Sequence, residues 1–267
     1  MTRAADRAKA RPPWALIPLA VLAVAFLVVP FLALLQRTPW TGLSELIGRP
    51  VVVEALRLSL LSSLAATGAA LVLGIPLAWL LARVRFPGRS VVRAMVLLPM
   101  VLPPVVGGAA LLFAFGRRGL LGEPVYEQTG LLLPFSTAGV IVANTFVAMP
   151  FLIITVEAGL RSMDRRYEDA AATLGASQWA VFRRITVPMV APSIVAGAVL
   201  CWARALGEFG ATVTFAGNLQ GRTQTMPLAV FLALESGDRQ AAIALSLLLI
   251  VVSLAVMVPM RDRWLSL

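Results

Sequence analysis

Glu168-Asp169-Ala170-Ala171-Ala172-Thr173-Leu174-Gly175, continued by Ala176–Arg184 and closed by Ile185-Thr186-Val187-Pro188, is the longest polar-rich passage in an otherwise apolar chain. Apolar runs at 135–160 and 188–212 flank it. Charged and small residues around one glycine, set between two such runs, read as a loop joining two membrane spans. The composition agrees. Of 267 residues, 59% are hydrophobic and 13% charged, whereas a soluble domain carries about 25% charged residues. The chain therefore belongs in a bilayer.

Working outward, the spans fall at about 14–35, 58–82, 94–115, 135–160, 188–212 and 238–260, in a single transmembrane domain over 14–260. About 20 apolar residues at about 1.5 Å each cross a hydrocarbon core of about 30 Å. The first run follows the basic tail 1–13 and is too long for the apolar region of a cleaved signal peptide, so it reads as a retained span. Val51–Arg57 reads as an interfacial lead-in to the second span. Gln36–Pro50 and Gly116–Pro134 read as loops, and Val213–Gly237 as a loop or re-entrant segment marked by Gly217, Asn218 and Gly221. In the third run, Leu98-Pro99-Met100-Val101-Leu102-Pro103-Pro104-Val105-Val106-Gly107-Gly108 cannot form an unbroken helix, because each proline removes a donor and clashes one turn back. Freed carbonyls at membrane depth must be buried in protein or face water. This is a broken element near a pathway or interface, or two shorter helices joined by a structural kink.

Charge supplies the orientation. With loops on alternate sides, 15 of the 23 basic residues fall on the side of the 161–187 loop and seven on the other, with Arg204 inside a span. The positive-inside rule then places both termini, including the tail 261–267, and the 161–187 loop in the cytoplasm. The net charge of +10 is a topology signal and does not point to nucleic acid.

The chemistry available is limited. There is no histidine, one cysteine and one lysine, Lys9. An internal disulfide is impossible, and the composition argues against a His/Cys metal cluster or a histidine-based nucleophile. No Gly-x4-Gly-Lys-Ser/Thr phosphate loop occurs. No catalytic or metal residue is assigned, no cofactor is expected in this chain, and any nucleotide must be bound by another. Ala203-Arg204-Ala205-Leu206-Gly207-Glu208-Phe209-Gly210 places two ionisable residues four apart in the fifth span. On a continuous helix they share a face, and intramembrane ionisable groups face a bundle interior or a water-filled cavity. They read as a pathway or gate element, or as a mutually satisfied pair pinning this helix to its neighbours. Arg204 lies about 24 Å of helix beyond Pro188, in the outer half of the membrane. Glu157 and Arg161 form a second pair spaced by four at the inner end of the fourth span.

The central passage reads locally as a short helix, a glycine turn and a second short amphipathic helix. Asp164 can cap the first, and Glu168 and Asp169 favour its N-terminal dipole. Gly175 permits a left-handed turn. The spacing Asp169-Ala170-Ala171, Gly175, Ile185, Pro188 resembles the Glu-Ala-Ala…Gly…Ile-x-Leu-Pro loop of binding-protein-dependent ABC importer permeases, with Asp169 for Glu and Val187 for Leu. Pro99–Gly108, Phe115–Gly122, Ala203–Thr212 and Ala216–Leu228 are similar to molybdate permeases, and the Arg-x-x-Gly-Glu frame is shared with sulfate permeases.

The resemblance implies an all-α, six-span type I ABC importer permease in a bacterial-type inner membrane. It implies ATPase coupling through Glu168, Asp169, Ala170, Ala171, Gly175, Ile185 and Pro188. It makes Arg204, Gly207, Glu208, Phe209, Gly210, Thr212, Pro103 and Pro104 pathway or gate candidates. Expected partners are a second copy, two ABC ATPase subunits that bind ATP-Mg, an extracytoplasmic molybdate-binding protein and membrane lipid. The alternatives are a sulfate, thiosulfate or tungstate permease, a secondary transporter, for which no inverted repeat or proton relay is visible, and a membrane enzyme.

Overall fold

The computed structural model describes Trp14 and residues 16–264, with side chains as far as Val258. The expected inner tail over 1–13, with Arg3, Arg7, Lys9 and Arg11, lies outside the described residues, as do 265–267. The described residues are helical and contain no strand. In chain order they form α1 (Leu16–Gln36), α2 (Leu43–Ile47), α3 (Pro50–Arg83), α4 (Arg89–Val101), α5 (Pro104–Phe115), α6 (Gly122–Thr129) and α7 (Thr137–Ser162). There follow α8 (Arg166–Thr173), α9 (Gln178–Val181), a π-helical turn over Phe182–Thr186, α10 (Val187–Leu206), α11 (Gly210–Ala216), α12 (Met226–Glu235) and α13 (Arg239–Trp264).

Five helical stretches are long and apolar enough to cross a membrane, and α4 with α5 makes a sixth if the bent pair counts as one span. The core is the packing of α3 on α7 and of α7 on α10. The buried face of α3 is made of small residues, Ser59, Ser62, Ser63, Ala66, Thr67, Ala70, Gly74 and Ala78. Lipid tails are as apolar as leucine, so close backbone approach rather than hydrophobic burial holds such helices together. Leu152, Ile153, Val156 and Leu160 of α7 fill that face. The first helix, α1, buries none of its residues.

Several boundaries differ from the sequence reading. In the second span the 51–57 segment is continuous with the helix: α3 starts at Pro50, a residue preorganised for the first helical turn, and its 34 residues rise about 51 Å. Residues 261–264 of the expected tail are helical, continuing α13. The stretches read as loops contain α2, α6 and α12. The ten residues of α12 rise only about 15 Å, too short to cross, and bury Met226, Leu228, Ala229 and Ala233.

The proline-rich third run is broken. Leu102 and Pro103 are extended, and α4 and α5 diverge by 119°. The fifth span is also broken, against expectation. Its helix ends at Leu206, Gly207–Phe209 are non-helical, and α11 begins at Gly210.

The two breaks meet. A Cβ at Gly210 would stand 2.7 Å from Pro104 Cβ, and one at Gly108 would stand 2.8 Å from the Ala211 carbonyl oxygen. Replacing Gly108 with valine therefore forces α5 away from α11, with an expected cost of about 2 kcal/mol. Gly68, on an exposed part of α3, has nothing within 4 Å of such a carbon, and Gly68→Ala should be neutral or stabilise by up to ~1 kcal/mol. Thermal unfolding of the purified variants in detergent checks both. A Gly108→Val protein melting like the parent would contradict the contact.

Candidate functional site

Two regions collect the residues singled out in the sequence. The first is the polar loop at one end of the bundle. The Asp164 carboxylate accepts from Arg166 N–H at 3.0 Å at the start of α8. Gly175 adopts φ +84°, the left-handed conformation expected of it. The loop then re-enters through α9, with the Ser177 hydroxyl accepting from Ala180 N–H at 3.3 Å. Helix continues without interruption from Gln178 through the π turn to Leu206, 29 residues in all.

Glu168 and Asp169 part company here. Glu168 turns inward. Its Oε2 lies 3.2 Å from Arg83 Nη2 at the end of α3, and its Oε1 accepts from the buried Thr186 hydroxyl at 2.7 Å. The Arg83 side chain is 8% exposed and that of Glu168 18%. This acid therefore tethers α8 to α3 and to the foot of α10. It lines a cavity of about 290 Å³ with Trp79, Arg165, Asp169 and Phe182.

Asp169, Ala170 and Gly175 are exposed, with Ala171 partly buried beneath them. Leu174 between them is 88% exposed and Tyr167 57%. Ile185 sits partly buried in the π turn, and Pro188 is exposed at the second position of α10. The outward face is thus a small-residue platform with one carboxylate and one protruding leucine. Leu174 and Tyr167 were legible only as apolar residues in a polar passage.

The second region is the meeting of the two breaks. Arg204 and Glu208 do pair, Nη1 to Oε2 at 2.6 Å, although Glu208 lies beyond the end of α10 and not on its face. Glu208 is buried, and its other oxygen, Oε1, accepts from Ala211 N–H at 2.7 Å, satisfying an orphan donor in the first turn of α11. Gly207 is exposed, Gly210 is buried against Pro104, and Pro103 remains exposed. The Phe209 and Phe231 rings lie 5.0 Å apart between centroids, beside a cavity of about 380 Å³ that Gly207 and Pro227 also line.

Thr212 leads into a polar chain not foreseen from sequence. Its hydroxyl donates to Asn144 Oδ1 at 3.3 Å, Asn144 Nδ2 donates to Ser62 Oγ at 3.4 Å, and Ser59 Oγ accepts from Met226 N–H at 2.7 Å. These bonds tie α11, α7, α3 and α12 together inside the bundle. An asparagine in an apolar run was the available signal.

Glu157 is held at once by Arg161, at 2.7 Å, and by Arg93 of α4. The pair expected within one helix is therefore a link between two.

The family model described as "Binding-protein-dependent transport system inner membrane component" matches residues 70–261. The molybdenum transport system permease protein ModB of Mycobacterium tuberculosis is 47% identical over 254 residues, 94% of each chain. Its namesake in Escherichia coli K12 is 40% identical, over 80% of this chain and 93% of that one. The E. coli K12 sulfate transport system permease protein CysT is more distant, 36% identical over 85% of this chain and 83% of its own length. Among solved structures, a bacterial ABC transporter involved in the import of the acidic polysaccharide alginate superposes with a TM-score of 0.71 at 20% identity, covering 93% of this chain and 92% of that one. That likeness shows the fold.

The two acids of the loop should separate experimentally. Glu168→Ala leaves Arg83 buried beside an empty space, an expected loss of about 3 kcal/mol. It should also speed tryptic cleavage at Arg165 and Arg166. Asp169→Asn should leave melting and cleavage unchanged. Equal behaviour of the two variants would show that Glu168 is no tether.

Proposed function

The chain belongs to the family of binding-protein-dependent transport system inner membrane components, and on that footing we propose that it is the membrane-spanning subunit of an ATP-driven molybdate importer. Two copies form the translocation pathway. Two cytoplasmic ABC ATPase subunits carry ATP-Mg and dock on the 161–187 loops. An extracytoplasmic protein captures molybdate and delivers it. Both termini lie in the cytoplasm, as the excess of arginine on that side supports. The cargo assignment rests on the molybdenum permease relatives, which are nearer to this chain than the sulfate permease.

The observation that carries the mechanism is the uninterrupted helix from Gln178 to Leu206. It rises about 43 Å and joins the exposed Asp169–Gly175 platform to the break at Gly207–Phe209. Closure of the ATPase pair displaces the platform. Glu168 and Thr186 pass that displacement to the foot of α10, and α10 passes it to the second break. Opening there separates Gly210 from Pro104. An oxyanion cannot cross about 30 Å of hydrocarbon unaided, so alternating access at this seam supplies the route. Glu208 neutralises Arg204 while the seam is shut.

Reconstitution of the permease with its ATPase and binding protein in vesicles tests this. ATPase activity should rise with molybdate-loaded binding protein and less with sulfate-loaded protein. Stimulation by sulfate alone would assign the sulfate reading. Asp169→Lys should weaken co-purification of the ATPase on the order of tenfold while membrane insertion stays normal. Arg204→Ala should slow uptake more than Arg85→Gln at equal expression. Normal docking and uptake in both Asp169→Lys and Arg204→Ala would remove the proposed coupling path.

A further inference from the structure

The end of the bundle that carries the polar loop holds a second basic feature outside the platform. The ends of α3, α4 and α7 enclose a cleft of about 500 Å³ lined by Ala82, Arg89, Ser90, Arg93 and Arg161. Three guanidinium groups line this cleft, and two of them meet one carboxylate. Arg93 and Arg161 each give one nitrogen to Glu157 Oε1. The Glu157 side chain is 10% exposed, whereas those of Arg93 and Arg161 are 35% and 47% exposed. The buried acid thus braces two arginines without consuming their donors. Arg89 gives one nitrogen to the Leu81 carbonyl, and its Nε is buried with no acceptor among the described residues. The start of α4 adds unpaired backbone donors and the positive end of a 13-residue helix. The net result is a cleft with surplus positive charge and surplus donors.

The surface beside it identifies the anion. Leu97, Met100 and Val101 follow Arg93 by four, seven and eight residues and so continue the same face of α4. They are 38%, 40% and 79% exposed. A soluble anion needs only the donors. An amphiphile uses both the donors and the apolar ridge that leads away from them. Basic pockets between membrane helices suit anionic headgroups. We propose that the Arg89–Arg93–Arg161 cleft binds the phosphate of an anionic phospholipid, whose acyl chains lie along the exposed ridge of α4. The inference uses the membrane placement of the chain and not its cargo, so it stands or falls separately from the transport reading. Its consequence is that lipid closes the seam between α4 and α7 at the foot of the broken third span.

Native mass spectrometry of the full-length permease tests it, after exchange into neutral detergent with equal amounts of phosphatidylglycerol and phosphatidylcholine of matched chains. Phosphatidylglycerol should be retained in preference, with each arginine contributing about fivefold. Ser90→Glu sets a carboxylate at the rim, in a first turn that favours acids, so the fold is spared. It should lower the preference about fivefold, and Arg161→Gln should do the same. Arg85→Gln removes an equal charge from the neighbouring loop, outside the cleft, and should leave the preference intact. Equal retention of the two lipids, or a preference unchanged by both Ser90→Glu and Arg161→Gln, overturns the proposal. Complete displacement of phosphatidylglycerol by millimolar inorganic phosphate also overturns it, assigning the cleft to a soluble phosphate.

Discussion

Hydrocarbon offers no water to a broken helix, and this chain breaks two helices that face each other. Everything around the breaks follows from satisfying the groups they free. Glu208 accepts from Ala211 N–H with one oxygen and holds Arg204 with the other. Thr212 donates to Asn144, which donates to Ser62. The first N–H of α12 is met by Ser59. Gly210 and Gly108 let the second break lie directly on Pro104 and on the helix that Pro104 begins. The polar residues inside the bundle are therefore the solvent that the breaks lack. None of them can shift alone, because each is the partner of a group on another helix.

The same logic organises the opposite end, where water is available. Arg83 ends α3 and is 8% exposed, so it needs a counter-charge. Glu168 supplies it from the polar loop and adds the Thr186 contact at the foot of α10. The loop is thus fastened to α3 and to the foot of α10 by one side chain, while Asp169, Ala170 and Leu174 stay exposed. A platform that carried its own fastening on its outward face would lose it on meeting a partner. Dividing the adjacent acids, one inward and one outward, avoids that conflict.

Much of this was legible in the sequence. The spans follow from apolar run length, the third-run break from Pro99, Pro103 and Pro104, and the turn at Gly175 from its lack of a side chain. The family resemblance rested on the polar loop and the stretches around both breaks. Other features were not legible, for physical reasons. Arg204 and Glu208 at a spacing of four look like a helix face, yet the chain leaves the helix at Gly207 and still brings the two charges together. The turn signals Gly217 and Gly221 masked α12, whose ten residues are too few to register as a span. Whether Glu168 points in or out depends on Arg83, which lies 85 residues away. Ser59 and Ser62 look like ordinary small residues until Asn144 and Met226 are placed beside them.

The ion pairs bear on where selectivity resides. Arg204 is matched by Glu208 and Arg83 by Glu168, whereas Glu157 alone holds both Arg93 and Arg161. At the breaks, the one intramembrane arginine is already neutralised by a buried acid. On the proposed reading, a passing dianion meets the Arg204–Glu208 pair and the Thr212–Asn144–Ser62 hydrogen bonds there, not an open cluster of donors. A paired charge offers little to tell apart oxyanions of equal charge and similar size, because discrimination requires polar groups left unsatisfied by the wrong ligand. On the proposed reading, the choice of oxyanion therefore belongs to the protein that delivers it. In that reading, the permease sets when the seam between Gly210 and Pro104 opens.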